Sequence, residues 1–339
     1  MTLTPIDCAV LSHAIGLCDT IKYLNLEYCH IQCEGIQRLG PGLHKCQELR
    51  LGENELGDSG VKLVFSALGN PECKIQKLWL NNVGLTDSGT EDFASALSTN
   101  RSLTELDLSD NKLRDSRMKL VSAALRNPEF KIQKLVMSGV CLTDSGAEDL
   151  ASALSTNPTL TELDLSYNKL GDSGVKLLGI CNISNLSVSF TSLSLISRLK
   201  CVGLTDSGAA DLASALSTKP SLTELNLSYN ELGDSGVKLV SGALRNPECK
   251  MQKLWLESVG LTDSGAEDLV SALSTNKSLT ELDLRSNSLT DRSVPALRRL
   301  ILTLPSLERI GLVGNRFTET GEKELRPLQG VRSGLTVEL

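Results

Sequence analysis

The sequence repeats itself. LTDSGTEDFASALST, beginning at Leu85, returns as LTDSGAEDLASALST at Leu142, LTDSGAADLASALST at Leu204 and LTDSGAEDLVSALST at Leu261. Between these copies runs a second unit built on LTEL, at Leu103, Leu160, Leu222 and Leu279. Aligning the first leucine of each L-x-L gives Leu24, Leu49, Leu78, Leu106, Leu135, Leu163, a degenerate copy near Ser197, then Leu225, Leu254, Leu282 and Ile310. The intervals are 25, 29, 28, 29 and 28, then 62 across the degenerate copy, then 29, 28 and 28. Two alternating units make a 57-residue period, and the long interval is that period plus five. Such a period argues against two ordinary globular domains, because each unit must stack on its neighbours to bury a core.

One unit can be read from its pattern. In Leu163-Asp164-Leu165 both leucines point one way while Glu162, Asp164 and Ser166 point the other, which predicts a short strand with one buried face. Asn168 and Leu170 complete the pattern L-x-x-L-x-L-x-x-N-x-L, with a buried amide serving the turn. In LTDSGAEDLASAL, Ser145 and Glu148 are expected to form a capping-box pair, Ala147, Leu150, Ala151 and Leu154 recur at helical spacing, and Pro158 ends the helix. Helices are wider than strands, so the stack is expected to curve. The predicted fold is α/β: a right-handed solenoid horseshoe of 28/29-residue leucine-rich repeats, parallel strands concave and helices convex. Residues 1–22 are expected to form an N-terminal helical half-repeat, 23–318 an array of about 11 repeats, irregular at 178–201, and 319–339 a C-terminal helix and short capping stub. Aromatics are only 3% against 40% hydrophobic residues, so the core is aliphatic.

The alternation of 28 and 29 resembles the ribonuclease-inhibitor class of leucine-rich repeat over about residues 20 to 330. Residues 4–29, TPIDCAVLSHAIGLCDTIKYLNLEYC, are similar to the stretch that leads into the C-terminal repeats of cytosolic NOD-like receptors, the NACHT and LRR domain-containing proteins. The blocks NPECKIQKLWL at Asn70 and ELGDSGVKLV at Glu55 resemble those receptors and ribonuclease inhibitor alike. The resemblance implies a cytosolic protein-protein interaction module in ligand sensing or autoinhibition of innate immune, inflammasome-type signalling. The alternative it implies is a ribonuclease-inhibitor-like protein binding an enzyme through its concave face. A GTPase-activating regulator on the same fold would carry an acidic tail that is missing here.

The copies also differ among themselves. Asn54, Asn111, Asn168, Asn230, Asn287 and Asn315 alternate with Val83, Val140, Val202 and Val259, so alternate turns are expected to be held by apolar packing. The glycine of Asp-Ser-Gly becomes Arg117 and Ser293 in two copies, where shifted helix starts are expected. Glu105, Glu162, Glu224 and Glu281 occupy the strand position held by Lys77, Lys134 and Lys253 in neighbouring units. Parallel strands lie about 4.8 Å apart, so these residues predict a structural ladder of opposite charges. On the helical side Glu148 and Asp149 stand beside Lys119 and Lys176 in the same way. Across the irregular stretch a strand is expected near Ile196 to Leu199.

Several chemistries are disfavoured. With 34 Lys and Arg against 41 Asp and Glu, the chain lacks the basic excess of a nucleic-acid binder. No G-x-x-x-x-G-K-[ST] is present, so no nucleotide is expected in this chain; in the receptors it resembles, that task belongs to the NACHT domain. Residues 177–197 carry no charge but are too rich in Ser and Asn for a spanning helix, so no membrane contact is expected. The first residues lack a basic signal region, and the ten cysteines are expected to be reduced in a cytoplasmic chain. His13, His30 and His44 gather near Cys8, Cys18, Cys29, Cys33 and Cys46, where a zinc site competes with the favoured reading of core thiols. Histidines confined to one end remove most acid-base schemes elsewhere, and neither an enzyme nor a cofactor is expected.

What remains is a surface for a protein partner on the concave face. Trp79 and Trp255 hold one outward strand position, shared by Arg50, Asp107, Asp164, Arg198 and Asp283. Tyr23 is outward as well, and Tyr167 and Tyr229 sit where the chain leaves the strand. Aromatics and arginine dominate binding hot spots, and the fold by itself needs no tryptophan there. The acidic pairs are expected to face open solvent.

Overall fold

The computed structural model describes residues 2–88, 91–183, 198–217, 222–246, 248–331 and 333–339, and the chain gathers into two compact units, Met1–Asn168 and Lys169–Leu339. In the first, the strands Ile21–Asn25 (β1), Cys46–Arg50 (β2), Lys77–Trp79 (β3), Glu105–Asp107 (β4), Lys134–Val136 (β5) and Glu162–Asp164 (β6) form one sheet in chain order. In the second, Glu224–Asn226 (β7), Lys253–Trp255 (β8), Glu281–Asp283 (β9), Arg309–Gly311 (β10) and Thr336–Glu338 (β11) do the same. Every pairing is parallel, and the register joins equivalent residues: Leu49 to Leu78, Leu78 to Leu106, Leu225 to Leu254. A helix follows each strand before the next begins, as in Asp144–Leu154 between β5 and β6. This is the predicted solenoid of parallel strands and helices. Apart from half-buried Leu24, the leucines of each L-x-L are buried, and each contributes about 1.5–3 kcal/mol, so stability is spread over many equivalent positions.

The asparagines do more than their own turns require. Asn111 donates through Nδ2 to Leu108 O and Ser109 O in its own turn and to Leu80 O in the preceding repeat. Its Oδ1 accepts from Val83 N at 3.2 Å and Leu85 N at 3.0 Å. Asn230 and Asn287 serve the Val202 and Val259 turns in the same way. The valine turns are therefore not held by apolar packing alone: the amide of the next repeat bonds their backbone, which corrects the sequence expectation.

Helix starts come in two kinds. Gly57, Gly171 and Gly233 open their helices at φ near +60°, and Arg114 adopts the same conformation at +54°. The other kind is capped by threonine. Thr143, not Ser145, is the N-cap of Asp144–Leu154, its Oγ1 accepting from Ser145 N at 3.3 Å, so the expected Ser145/Glu148 box is replaced. Thr143 is held in turn by Asp115 of the preceding repeat, which accepts from its N at 2.8 Å and its Oγ1 at 2.6 Å. The same staple joins Asp58 to Thr86, Asp172 to Thr205, Asp234 to Thr262, Asp263 to Thr290 and Asp291 to Thr318.

The staple explains one glycine. A Cβ at Gly146 would stand 2.5 Å from Asp115 Oδ1. Ser293 places a Cβ at the equivalent position, and its helix opens through a 3-10 turn, Asp291–Ser293, before Val294–Thr303. Arg117 does not shift its helix: Arg114–Arg126 starts in the same register as Gly57–Leu68, and a Cβ at the equivalent Gly60 meets Leu56 Cβ at 3.0 Å rather than a carboxylate. Of the two expected shifts, only that at Ser293 occurs.

At the N-terminal end Thr4 and Asp7 cap Pro5–Gly16 reciprocally, and these hydrogen bonds hold the Asp7 acid below its ordinary value. Of the irregular stretch, 184–197 lies outside the described residues, as do the first two residues of the strand expected near Ile196 to Leu199. Arg198 pairs with Asn226, and buried Leu199 donates its N–H to Asn226 O. The C-terminal stub adds a strand, β11, that the sequence pattern did not suggest. No helix among the described residues is long and apolar enough to cross a membrane.

Candidate partner-binding surface

Two outward rows run across each sheet. In the first unit one row is Tyr23, Glu48, Lys77, Glu105, Lys134, Glu162, and the other is Asn25, Arg50, Trp79, Asp107, Val136, Asp164. The first row carries the charge ladder: Lys77 lies 2.8 Å from Glu105 and Lys134 3.0 Å from Glu162. The Glu105 partner raises the Lys77 pKa. The structural ladder expected from sequence is present, and the helical side repeats it with Lys176 on Asp211.

Arg50 brings the candidates of this unit together. Its guanidinium lies over Trp79, 4.3 Å from the ring centre, and 5.5 Å from that of Tyr23, while Nη2 reaches Glu48 at 3.3 Å. Such contacts contribute about 0.5–1 kcal/mol each when partly exposed. Trp79 is half-buried by this stack, and Tyr23 is exposed.

In the second unit the rows are Glu224, Lys253, Glu281, Arg309, Thr336 and Arg198, Asn226, Trp255, Asp283, Gly311, Glu338. Here Lys253 turns back to Glu224 at 2.7 Å, which leaves Glu281 to accept from Trp255 Nε1 at 3.0 Å. Trp255 is thereby fastened and half-buried; both tryptophans have fold partners, contrary to expectation. Tyr229 donates to Glu257 Oε1 at 2.8 Å, and Lys200 lies 4.6 Å from its ring centre. Arg285 grips Asp283 and approaches Glu257 at 3.7 Å; the Asp283 contact raises its pKa.

The strand aspartates have a local duty. Asp107, Asp164 and Asp283 each accept, through Oδ1, the N–H of the residue two positions on, at 2.9 to 3.0 Å. Asn25 and Asn226 do the same. Asp283 is only 4% exposed, so it does not face open solvent as expected.

Tyr28, Tyr167 and Tyr229 occupy one strand-exit position and share φ between +54° and +59°. Its other occupants include Glu53, Asn82, Asp110, Gly139 and Gly314, all left-handed. A non-glycine residue costs about 1 kcal/mol there, and asparagine or glycine is the cheaper choice. All three tyrosines are exposed. Tyr28 escaped notice in the sequence although counting four residues from Leu24 reaches it; Arg285 and Glu257 escaped because serine recurs at their place.

Cys8, Cys29 and Cys46 are buried; burial pushes the Cys8 thiol up and takes Cys46 up to about 11. Among the described residues no group of three His, Cys, Asp or Glu is arranged to hold a metal.

A repeating strand, a buried asparagine turn and a helix at 28 or 29 residues define the class: the chain is a leucine-rich-repeat protein of the ribonuclease-inhibitor class. The Leucine Rich repeat family model matches residues 18–40, 47–65, 99–116, 156–179, 218–241 and 275–297. Within that class it is similar to mouse NACHT, LRR and PYD domains-containing protein 14, 37% identical over 284 residues, covering 83% of this chain and 28% of that protein. It is 36% identical over 307 residues to the human protein 3 of the same series, covering 90% of this chain and 29% of that protein. Mouse ribonuclease inhibitor is 36% identical over 305 residues, 88% of this chain and 66% of that protein. The chain thus spans under a third of the receptors it matches. A chain of the yeast Rad7 and Elc1 complex shares the fold, with a TM-score of 0.63 at 17% identity over 98% of this chain and 77% of that one. The chain is a protein-interaction module.

Proposed function

We propose that this module acts in cytosolic innate immune signalling, sensing a ligand or holding a receptor inactive through a protein bound to its strand face. The observation that carries the reading is the placing of exposed Tyr28, Tyr167 and Tyr229 at left-handed positions that the fold fills more cheaply with glycine or asparagine. Tyr23, Arg50 and Trp79 add a preorganised aromatic and guanidinium cluster, the residue types of binding hot spots. The similarity to NACHT, LRR and PYD proteins supplies the signalling context. The role is binding rather than catalysis.

The test is a chimera in which this chain replaces the repeats of such a receptor. Basal signalling is expected to stay low, and Trp79→Ala with Tyr167→Ala and Tyr229→Ala is expected to release it or abolish the ligand response in a chain that still folds, its melting temperature lowered only by loss of the Arg50 stack and the Tyr229–Glu257 bond. Basal output equal to that of a receptor lacking repeats would refute the reading. The two-thirds coverage of ribonuclease inhibitor favours a second reading, a free-standing inhibitor of an enzyme. Inhibition of a pancreatic-type ribonuclease at nanomolar concentration would select it.

A further inference from the structure

Each unit carries the same pair of neighbours on its strand face. Trp79 is in register with Asp107, and Trp255 with Asp283. In the second copy Arg285 lies on the Asp283 carboxylate through Nε at 2.9 and 3.0 Å and Nη2 at 2.6 Å. The first copy has Ser109 where Arg285 stands. Asp107 uses Oδ1 on Ser109 N, and among the described residues no cation pairs with Asp107, Asp110 or Glu53. The nearby cations are already placed, Lys77 on Glu105, and Arg50 on Glu48 with its guanidinium over the Trp79 ring, and neither reaches Asp107. Asp110 is held above the ordinary carboxylate value by loss of solvent, and then by Glu53 and Asp107, as expected of acids gathered without a counter-ion. The Trp79 indole N–H donates to no described residue, whereas that of Trp255 is taken by Glu281.

We propose that Trp79, Asp107 and Asp110 form a receptor for an arginine side chain of a partner protein, which takes the place that Arg285 fills from within the second unit. The proposal rests on the reading of the strand face as a protein-binding surface and names what that partner presents. Arginine is favoured over lysine because the Asp283 site accepts a two-nitrogen fork, which an ammonium cannot offer. The chain cannot fill the first copy itself by the same path. Arg285 crosses Gly311, where a Cβ would stand 3.1 Å from its Cγ, and the residue in that register beside Asp107 is Val136. In the proposal the guanidinium therefore arrives from a partner.

The chain has two tryptophans, so its indole N–H spectrum contains its own control. With the full chain labelled at tryptophan, titration with the peptide acetyl-Gly-Arg-Gly-amide is expected to shift the Trp79 signal saturably and leave Trp255 in place. The lysine peptide is expected to bind at least about threefold more weakly. Asp107→Asn is expected to weaken the arginine peptide roughly tenfold, the loss of one charge-assisted contact. That variant keeps the local turn, since Asn226 accepts from Ser228 N at 3.0 Å at the equivalent position of β7. Equal movement of both tryptophans, equal binding of the lysine peptide, or an unchanged titration in Asp107→Asn overturns the proposal. A partner whose capture depends on Trp79 but not on Asp107 removes the arginine receptor and leaves the interaction surface standing.

Discussion

Replacing Asn111 by valine, the residue that alternate turns use, asks whether those turns stand alone. The side chain is 2% exposed and serves two buried N–H groups, Val83 and Leu85. An orphaned buried donor costs about 1–3 kcal/mol, so the pair predicts about 2–6 kcal/mol, with the three carbonyls it meets adding less because each keeps a second lone pair. Asn315→Val supplies the comparison. Asn315 serves only Leu289 N, and of its two carbonyls Leu284 O is also bonded by Asn287, so about 1–3 kcal/mol is expected. Urea unfolding would rank the two variants. Hydrogen exchange, read by mass spectrometry, should show Val83–Leu85 deprotected in Asn111→Val although the mutated residue lies 26 positions beyond Leu85. Equal costs, or unchanged protection of that segment, would refute service between repeats.

Four further outcomes follow. Gly321→Ala drives a Cβ into Asp291 Oδ1 and is expected to destabilise the chain less in an Asp291→Ala background, a coupling that a double-mutant cycle measures; additivity would deny the contact. Asp110→Asn is expected to stabilise at neutral pH: the raised pKa means that folding disfavours its charged form, so the gain is present above its folded value and fades as pH falls to its ordinary 3.8. Asp291 has the opposite sign. The Thr318 bonds depress its pKa, and the contribution it makes above 3.8 should disappear as pH falls through the lowered value, seen as faster exchange at Thr318 N–H; Asp291→Asn should remove that dependence. In thiol labelling at pH 8, exposed Cys18 and Cys141 should react in the folded chain while Cys8, Cys29 and Cys46 wait for unfolding. Prompt labelling of Cys46 would contradict its burial.

The fold was legible because every copy faces the same packing problem. Leu78, Leu106 and Leu135 are interchangeable in their roles, so one reading of L-x-L extends to ten strands. The alternation of Lys77 with Glu105 and of Lys134 with Glu162 was legible for the same reason, since adjacent parallel strands in register make sequence order into spatial order. Reading failed where a side chain leaves its own repeat. Asp115 lies in the first turn of its own helix and also holds the cap of the next through Thr143, a contact the sequence pattern did not suggest; Ser145, expected as a cap, is not one.

The candidate surface divides along the same line. Sequence determined which residues lie outward: Trp79, Trp255, Arg50, Tyr23 and the strand aspartates all stand in the rows that the period assigns. Tertiary structure decided what each of them meets. Lys253 pairs with the preceding strand and Lys77 with the following one, and that choice alone frees Glu281 for Trp255 and leaves the Trp79 indole without a described acceptor. Repeats fix backbone positions to within a residue, but a long side chain reaches either neighbour. Its choice goes with what the flanking repeats supply: Arg50 already engages Glu48 beside Lys77, whereas Glu224 takes Lys253.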